Sequence, residues 1–210
     1  MKKIILILMA TAVVGVATFF AVWGGPDSGR QSEEVLNGTT TDPLVDAGTM
    51  TTYSNPELGI EFEYQTGSDG YVLQEHIPTD TAANLVRTIV LMQSADAAVA
   101  PPAGGERPPV ISISVFKNTK KQFPRTWADQ NVQYSLINLA QGEIEETVVG
   151  GTNAIRYNAD GLYASDNVVV AHGENMYVIT GQYMDAGSDI RADFAPLVAS
   201  IRFIPPEGQE

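Results

Sequence analysis

Two histidines, His76 and His172, are the only imidazoles in this 210-residue chain, and cysteine is absent altogether. Any histidine-based acid/base or zinc chemistry must therefore use one or both, and neither stands in a ligand-spaced motif. Without thiols there is no disulfide framework, no thiolate nucleophile and no cysteine-held metal. Oxygen ligands are more plentiful. Asp185, Asp189 and Asp193 recur every four residues, a spacing that stacks the latter two on one helical face and makes them the metal candidates of the chain. The spacing is not that of the helix–loop–helix calcium motif, and an Asp at a helix start also caps the helix. Asp160 and Asp166 flank an Asp-Gly step and read as turn residues before cation ligands. Glu61 and Glu63 project from one strand face about 7 Å apart, close enough for paired-carboxylate hydrolysis, although a solvated strand face explains them as well.

Nucleophile and phosphate signatures are missing. No G-x-S-x-G surrounds a serine, and Ser112 and Ser114 alternate along a strand with no histidine near in sequence. Gly150-Gly151 precedes a strand pattern, so it cannot present a helix N-terminus to an anion. No catalytic residue and no cofactor is expected from these residues.

The elements that must position them read as one mixed domain over residues 51–205. Leu58, Ile60, Phe62 and Tyr64 alternate with Gly59, Glu61 and Glu63, which predicts a strand with one wet face. Ile111, Ile113 and Val115 alternate with Ser112 and Ser114 in the same way. Thr88–Met92 is apolar without alternation and is expected to be covered on both faces. Hairpins follow: Asn153–Tyr157, a turn over Asn158–Gly161, a return through Leu162–Ala171, then a turn at His172–Asn175 into Met176–Tyr183. One helix is predicted over about Arg125–Ser135 behind Pro124. A second follows Ser188 or Asp189 with Ile190, Phe194, Leu197, Val198 and Ile201 on one stripe. Pro196 predicts a kink or an early stop in that helix, and Ser200–Ile204 reads as a closing strand before residues 206–210. Ala95–Pro109, with four prolines and paired glycines, reads as a long surface loop.

Ahead of the domain stand Lys2 and Lys3, a stretch uninterrupted by charge from Ile4 to Trp23, and Gly24-Gly25. As a helix at about 1.5 Å per residue the stretch spans roughly 30 Å, the thickness of a bilayer core. The lysines predict a cytoplasmic N-terminus and an exported remainder. Residues 1–24 are accordingly expected to be an uncleaved single-pass membrane anchor. The competing reading is a removed signal segment with Gly15 and Ala17 as its small-x-small site, which would leave Thr18–Trp23 as a sticky new N-terminus. Residues 25–50, rich in Gly, Ser, Thr, Asp and Pro, read as a flexible tether.

The formal net charge is −13, and with Lys2 and Lys3 set aside the part beyond the apolar stretch is more acidic still. That sign excludes nucleic acid, whose binding depends on Lys and Arg displacing counterions. Attraction of cations and plain solubility both fit it.

Several phrases, in order, resemble one family: Tyr53-Ser54-Asn55-Pro56-Glu57-Leu58-Gly59-Ile60, Trp127 in the first helix, Val149-Gly150-Gly151-Thr152-Asn153-Ala154, Tyr177-Val178-Ile179-Thr180, and Val198-Ala199-Ser200-Ile201-Arg202-Phe203. Together they resemble the PsbP-like domains, common in exported bacterial proteins and named for an extrinsic photosystem II subunit. The resemblance implies an α+β fold, an antiparallel sheet flanked by helices in an α/β/α sandwich, used as a binding or accessory module and not as an enzyme. The chain departs from the family after the first strand, where Tyr64 leads into Gln65-Thr66-Gly67, at the Ala95–Pro109 insertion and at Pro196. The photosystem role is not carried over. The expectation is a membrane-tethered extracytoplasmic binding domain that contacts an envelope protein or a small ligand. The alternatives are a carboxylate-dependent hydrolase of the cell envelope and a divalent-cation binder.

Overall fold

The computed structural model describes residues 48–79, 84–100 and 105–205. The expected anchor (1–24), most of the expected tether (25–50) and the tail (206–210) lie outside the described residues. Among the described residues no helix is long and apolar enough to cross a membrane.

Ten strands form two antiparallel sheets. The smaller joins β1 (Thr49–Asn55), β2 (Ile60–Thr66) and the two-residue β10 (Arg202–Phe203) in the order β1-β2-β10. The larger has seven strands: β3 (Tyr71–His76), β4 (Leu85–Gln93), β5 (Ile111–Lys117), β6 (Ala140–Val149), β7 (Thr152–Asp160), β8 (Ala164–His172) and β9 (Asn175–Tyr183). Their spatial order is β3-β4-β5-β9-β8-β7-β6. The chain leaves β5, passes through α2 (Pro124–Gln130) and α3 (Val132–Ser135), and enters the far edge as β6. From there a meander of hairpins walks back until β9 pairs with β5.

Alternation decides which face each side chain serves. Ile89, Leu91, Ile111, Ile113, Val168, Val170, Tyr177 and Ile179 point to one face, where they meet Phe62 and the helix α4 (Asp189–Ser200) in a single buried cluster. Phe116, Ile155, Tyr157, Val169, Met176 and Val178 point to the other and pack on Trp127 and Ala128 of α2. Helices thus cover both faces of the large sheet, and α4 packs on both β9 and β2.

The turn into β2 is fixed by its own polar groups. Asn55 Oδ1 accepts from the Leu58 N–H at 3.1 Å, and Gly59 turns at a φ of 70°. The Leu58 carbonyl then accepts from the buried Tyr177 hydroxyl at 2.6 Å and from Asn175 Nδ2 at 3.2 Å. A buried carbonyl left unpaired would cost on the order of 1–3 kcal/mol, so these donors hold one sheet against the other.

Several expectations are corrected. The small three-stranded sheet stands apart from the one sheet that the family resemblance implies. Strand β1 begins at Thr49, within the stretch expected to be tether. Strand β6, rich in glutamate and largely exposed, was not anticipated. Strand β4 is covered on one face only: Ile89 and Leu91 are buried while Val90 and Met92 are half-exposed, because α2 packs instead over β7 and β8. The turn expected over Asn158–Gly161 starts later. Asn158, Ala159 and Asp160 continue β7, paired with Asp166, Ser165 and Ala164, since Ala159 is needed in the core. The single helix expected over Arg125–Ser135 is two. Asn131 leaves the helical region and turns its side-chain amide onto the Trp127 carbonyl at 2.8 Å, capping α2 and interrupting the ladder. The Ala95–Pro109 loop is preceded by a one-turn helix, α1 (Ser94–Ala97), that reaches into its start.

Helix α4 begins at Ser188, whose Oγ accepts from the Arg191 N–H. It runs through Pro196 to Ser200 without the expected stop, and this shortens the closing strand to β10. Ala192 and Pro196 are both exposed, so water can take the carbonyl that the proline leaves unbonded, while Phe194 and Leu197 stay buried on the opposite side. The helix lies close to β9 because Gly181 has no side chain: a Cβ there would stand 2.5 Å from Phe194 Cδ2. Gly181→Ala is expected to lower stability by about 1–3 kcal/mol through overpacking. Chemical denaturation should show a lower midpoint with an unchanged slope, and Gly181→Ala combined with Phe194→Leu should recover part of the loss.

Candidate functional site

Helix α4 packs on β9 and β2, and beyond it Glu145, Arg156 and Asn158 stand exposed on the same sheet face, while Ala154, Val168 and Val170 of that face stay buried. Between helix and strands lies a cleft of about 540 Å³, within the range of small-molecule sites. Its wall is apolar, formed by Phe194, Ala195 and Val198 of α4 with Val168 of β8.

Charged and polar residues on alternate positions of the strands make the floor. Glu145 and Arg156 are cross-strand partners, and both Arg156 Nε, at 2.7 Å, and Nη2 donate to the single oxygen Glu145 Oε2. Asn158 and Asp166 are likewise opposite each other, with Asn158 Nδ2 donating to Asp166 Oδ1. The Tyr183 hydroxyl donates to the same oxygen at 3.3 Å. Arg191, from the first turn of α4, stands with Nε 3.6 Å from Asp166 Oδ2, and its guanidinium carbon lies 4.9 Å from the centroid of the Tyr183 ring. Burial raises the Tyr183 pKa, and the Asp166 charge raises it further against the pull of Arg191. The phenol therefore stays a neutral donor that fixes the Asp166 carboxylate.

This arrangement can bind, orient and discriminate charge. Glu145 and Asp166 are each set against an arginine, and Glu143 and Thr147 also line the cleft, while among the described residues no histidine or serine does.

The residues singled out in the sequence go elsewhere, Asp166 excepted. Asp185 Oδ1 accepts from the Gly187 N–H at 2.9 Å, closing its own loop. Asp189 occupies the first turn of α4 while Ser188 takes the capping position. Asp193 accepts from the buried Tyr71 hydroxyl at 2.8 Å, tying α4 to β3. Burial, then the Asp193 contact, pushes the Tyr71 pKa up. Asp185 and Asp193 thus serve separate local contacts. Among the described residues no group of three or more His, Asp or Glu side chains is placed to hold a metal ion. Glu61 lies opposite Arg202 of β10, Glu63 is exposed, and neither lines the cleft. Asp160 ends β7 in solvent. His76 ends β3, exposed. Asn158, Arg156, Arg191 and Tyr183 were not singled out. The signal for Arg156 and Asn158 is the alternation of β7, hidden where Asn158 reads as a turn residue, while Arg191 and Tyr183 come from α4 and β9 and meet them only in the assembled fold.

His172 has a structural position. Its ring stacks on Phe203 with centroids 4.4 Å apart and planes within 7°, and Nδ1 lies 3.1 Å from Thr152 Oγ1. Gly150, at a φ of 55°, admits the Phe203 ring where a Cβ would approach to 2.8 Å. Burial lowers the His172 pKa. A histidine whose folded value lies below its ordinary 6.5 binds more protons when unfolded, so its effect is a loss of stability as pH falls below about 6.5, ending below the folded value. Denaturation midpoints measured at pH 7.5 and 5.5 are expected to fall less in His172→Gln than in the unsubstituted chain. Equal falls would assign the acid sensitivity to other groups.

No family model matches the chain, and no curated protein matches it. Among solved structures it is similar to the solution structure of cyanobacterial PsbP (CyanoP) from Synechocystis sp. PCC 6803, with 12% sequence identity over 80% of this chain and 98% of that one and a TM-score of 0.49.

Proposed function

We propose that this chain is an extracytoplasmic binding domain, held at a membrane by its N-terminal segment and acting without turnover. The observation that carries the binding reading is the cleft under α4. It has the size of a small-molecule site and an apolar wall, and its floor groups are matched to one another and not arranged for proton transfer. The tether rests on Lys2, Lys3 and the apolar stretch Ile4–Trp23.

An added strand from a partner is a poorer use of this region. The edge strand β6 carries Glu143, Glu145 and Glu146 and has a register shift between Gln141 and Glu145, and charge and bulges both blunt sheet edges. A ligand seated in the cleft makes fuller use of the wall and the floor together.

Two measurements test the two halves of the proposal. In fractionated cells the full chain should stay with membranes through an alkaline wash, and its domain should be digested by protease added outside the cytoplasmic membrane. Recovery in the soluble cytoplasm would remove the tether. In a thermal screen of small soluble molecules, a ligand at 100 times its Kd should stabilise the chain by about 2.7 kcal/mol. Ala195→Trp, on the exposed side of α4 facing the cleft, should abolish that shift. Stabilisation unchanged by Ala195→Trp, or hits recovered chemically altered, would overturn the reading.

A further inference from the structure

We infer that the ligand of the cleft is a small molecule bearing a single carboxylate on an apolar body, with Arg191 as the residue that receives the carboxylate. This rests on the cleft being a binding site, as proposed above, and names the chemistry it would select.

The argument is a count of donors and acceptors. A guanidinium carries five N–H donors. Those of Arg191 make no hydrogen bond among the described residues, since Asp166 Oδ2 is 3.6 Å away and Asp166 Oδ1 is occupied by Asn158 and Tyr183. The Tyr183 ring takes one face of the guanidinium, at 4.9 Å, and so fixes its plane while leaving its N–H edges free. The side chain is 39% exposed, and it lines the cleft. Arg156 adds a second source of donors: Nε and Nη2 converge on one oxygen of Glu145, leaving Nη1 over. Two arginines whose remaining donors face the cleft thus line one cavity, where an acceptor on a ligand can replace water. A planar carboxylate matches the fork of a guanidinium with two parallel hydrogen bonds.

The surroundings narrow the choice further. Asp166, Glu145 and Glu143 line the cleft beside the two arginines, within a chain of net charge −13, so an anion meets repulsion that grows with its charge, and a phosphate monoester is disfavoured more than a singly charged carboxylate. Phe194, Ala195, Val198 and Val168 then offer an apolar surface for the rest of the molecule.

The test is isothermal titration of the full chain in lipid nanodiscs, with empty discs as the blank, using 3-phenylpropionate and its neutral isostere 3-phenylpropanamide. The carboxylate is expected to bind about tenfold more tightly than the amide, as a charge-assisted hydrogen bond requires. Arg191→Gln should erase that preference, Arg191→Lys should keep part of it, and Arg125→Gln, in the exposed pair with Asp129, should leave it intact. Inorganic phosphate should not compete. Equal affinity for acid and amide, or a preference that survives Arg191→Gln, would overturn the inference. Binding of neither probe, alongside ligands of other classes lost in Ala195→Trp, would overturn the carboxylate assignment and leave the binding domain standing. Loss of all cleft ligands would overturn both.

Discussion

The closeness of α4 to β9 is the constraint on which the rest of the molecule depends. At Gly181 the strand offers no side chain, and the Phe194 ring occupies the space that a Cβ would need. That contact seats Ile190 and Leu197 in the core and brings the helix within reach of β2 as well. One helix thereby joins the small sheet to the large one. The same placement leaves the far end of the large sheet bare, so the cleft is a by-product of where the helix is forced to lie. Packing interiors are dense enough that a displacement at Gly181 would be passed to the cleft wall without being absorbed.

Electrostatics follow from that geometry. The chain is strongly acidic, and carboxylates such as Glu143 and Glu146 on β6 are exposed to solvent. Exposed ion pairs such as Arg125 with Asp129 contribute little to stability. Register and helix placement bring Arg156 and Arg191 to one cavity, where Glu145 holds Arg156 while the Tyr183 ring and the Asp166 carboxylate flank Arg191. Tyr71 and Asp193 perform a comparable service at the other end, where a buried phenol and a helical carboxylate lock α4 to β3.

Much of this architecture was legible in the sequence. Strands β2 and β5 follow from period-two alternation, and α4 follows from its stripe and its serine cap. What could not be read was settled by contacts distant in sequence. Asn158 looks like a turn residue, yet Ala159 beside it is required in the core, and the strand runs on until Asp160. Asn131 fits a helical pattern, but its amide bonds to the Trp127 carbonyl and divides the helix. Glutamates hid β6, because an edge strand facing water lacks the apolar alternation by which strands are recognised. The site was less visible than the fold for the same reason. Glu145 with Arg156, and Asn158 with Asp166, are pairs only in one register, and register is a property of the assembled sheet. Aspartates spaced by four draw attention instead, yet Asp185 stands ahead of the helix and closes its own loop, while Asp193 is turned to Tyr71.

The small sheet is completed from the end of the chain. Phe203 lies opposite Ile60, the carbonyl of Gly59 receives the Ile204 amide, and the Phe203 ring rests between His172 and Tyr177 in the space conceded by Gly150. Loss of Arg202 and Phe203 would therefore leave β2 with β1 as its one partner strand and strip the Phe203 ring from the aromatic faces of His172 and Tyr177.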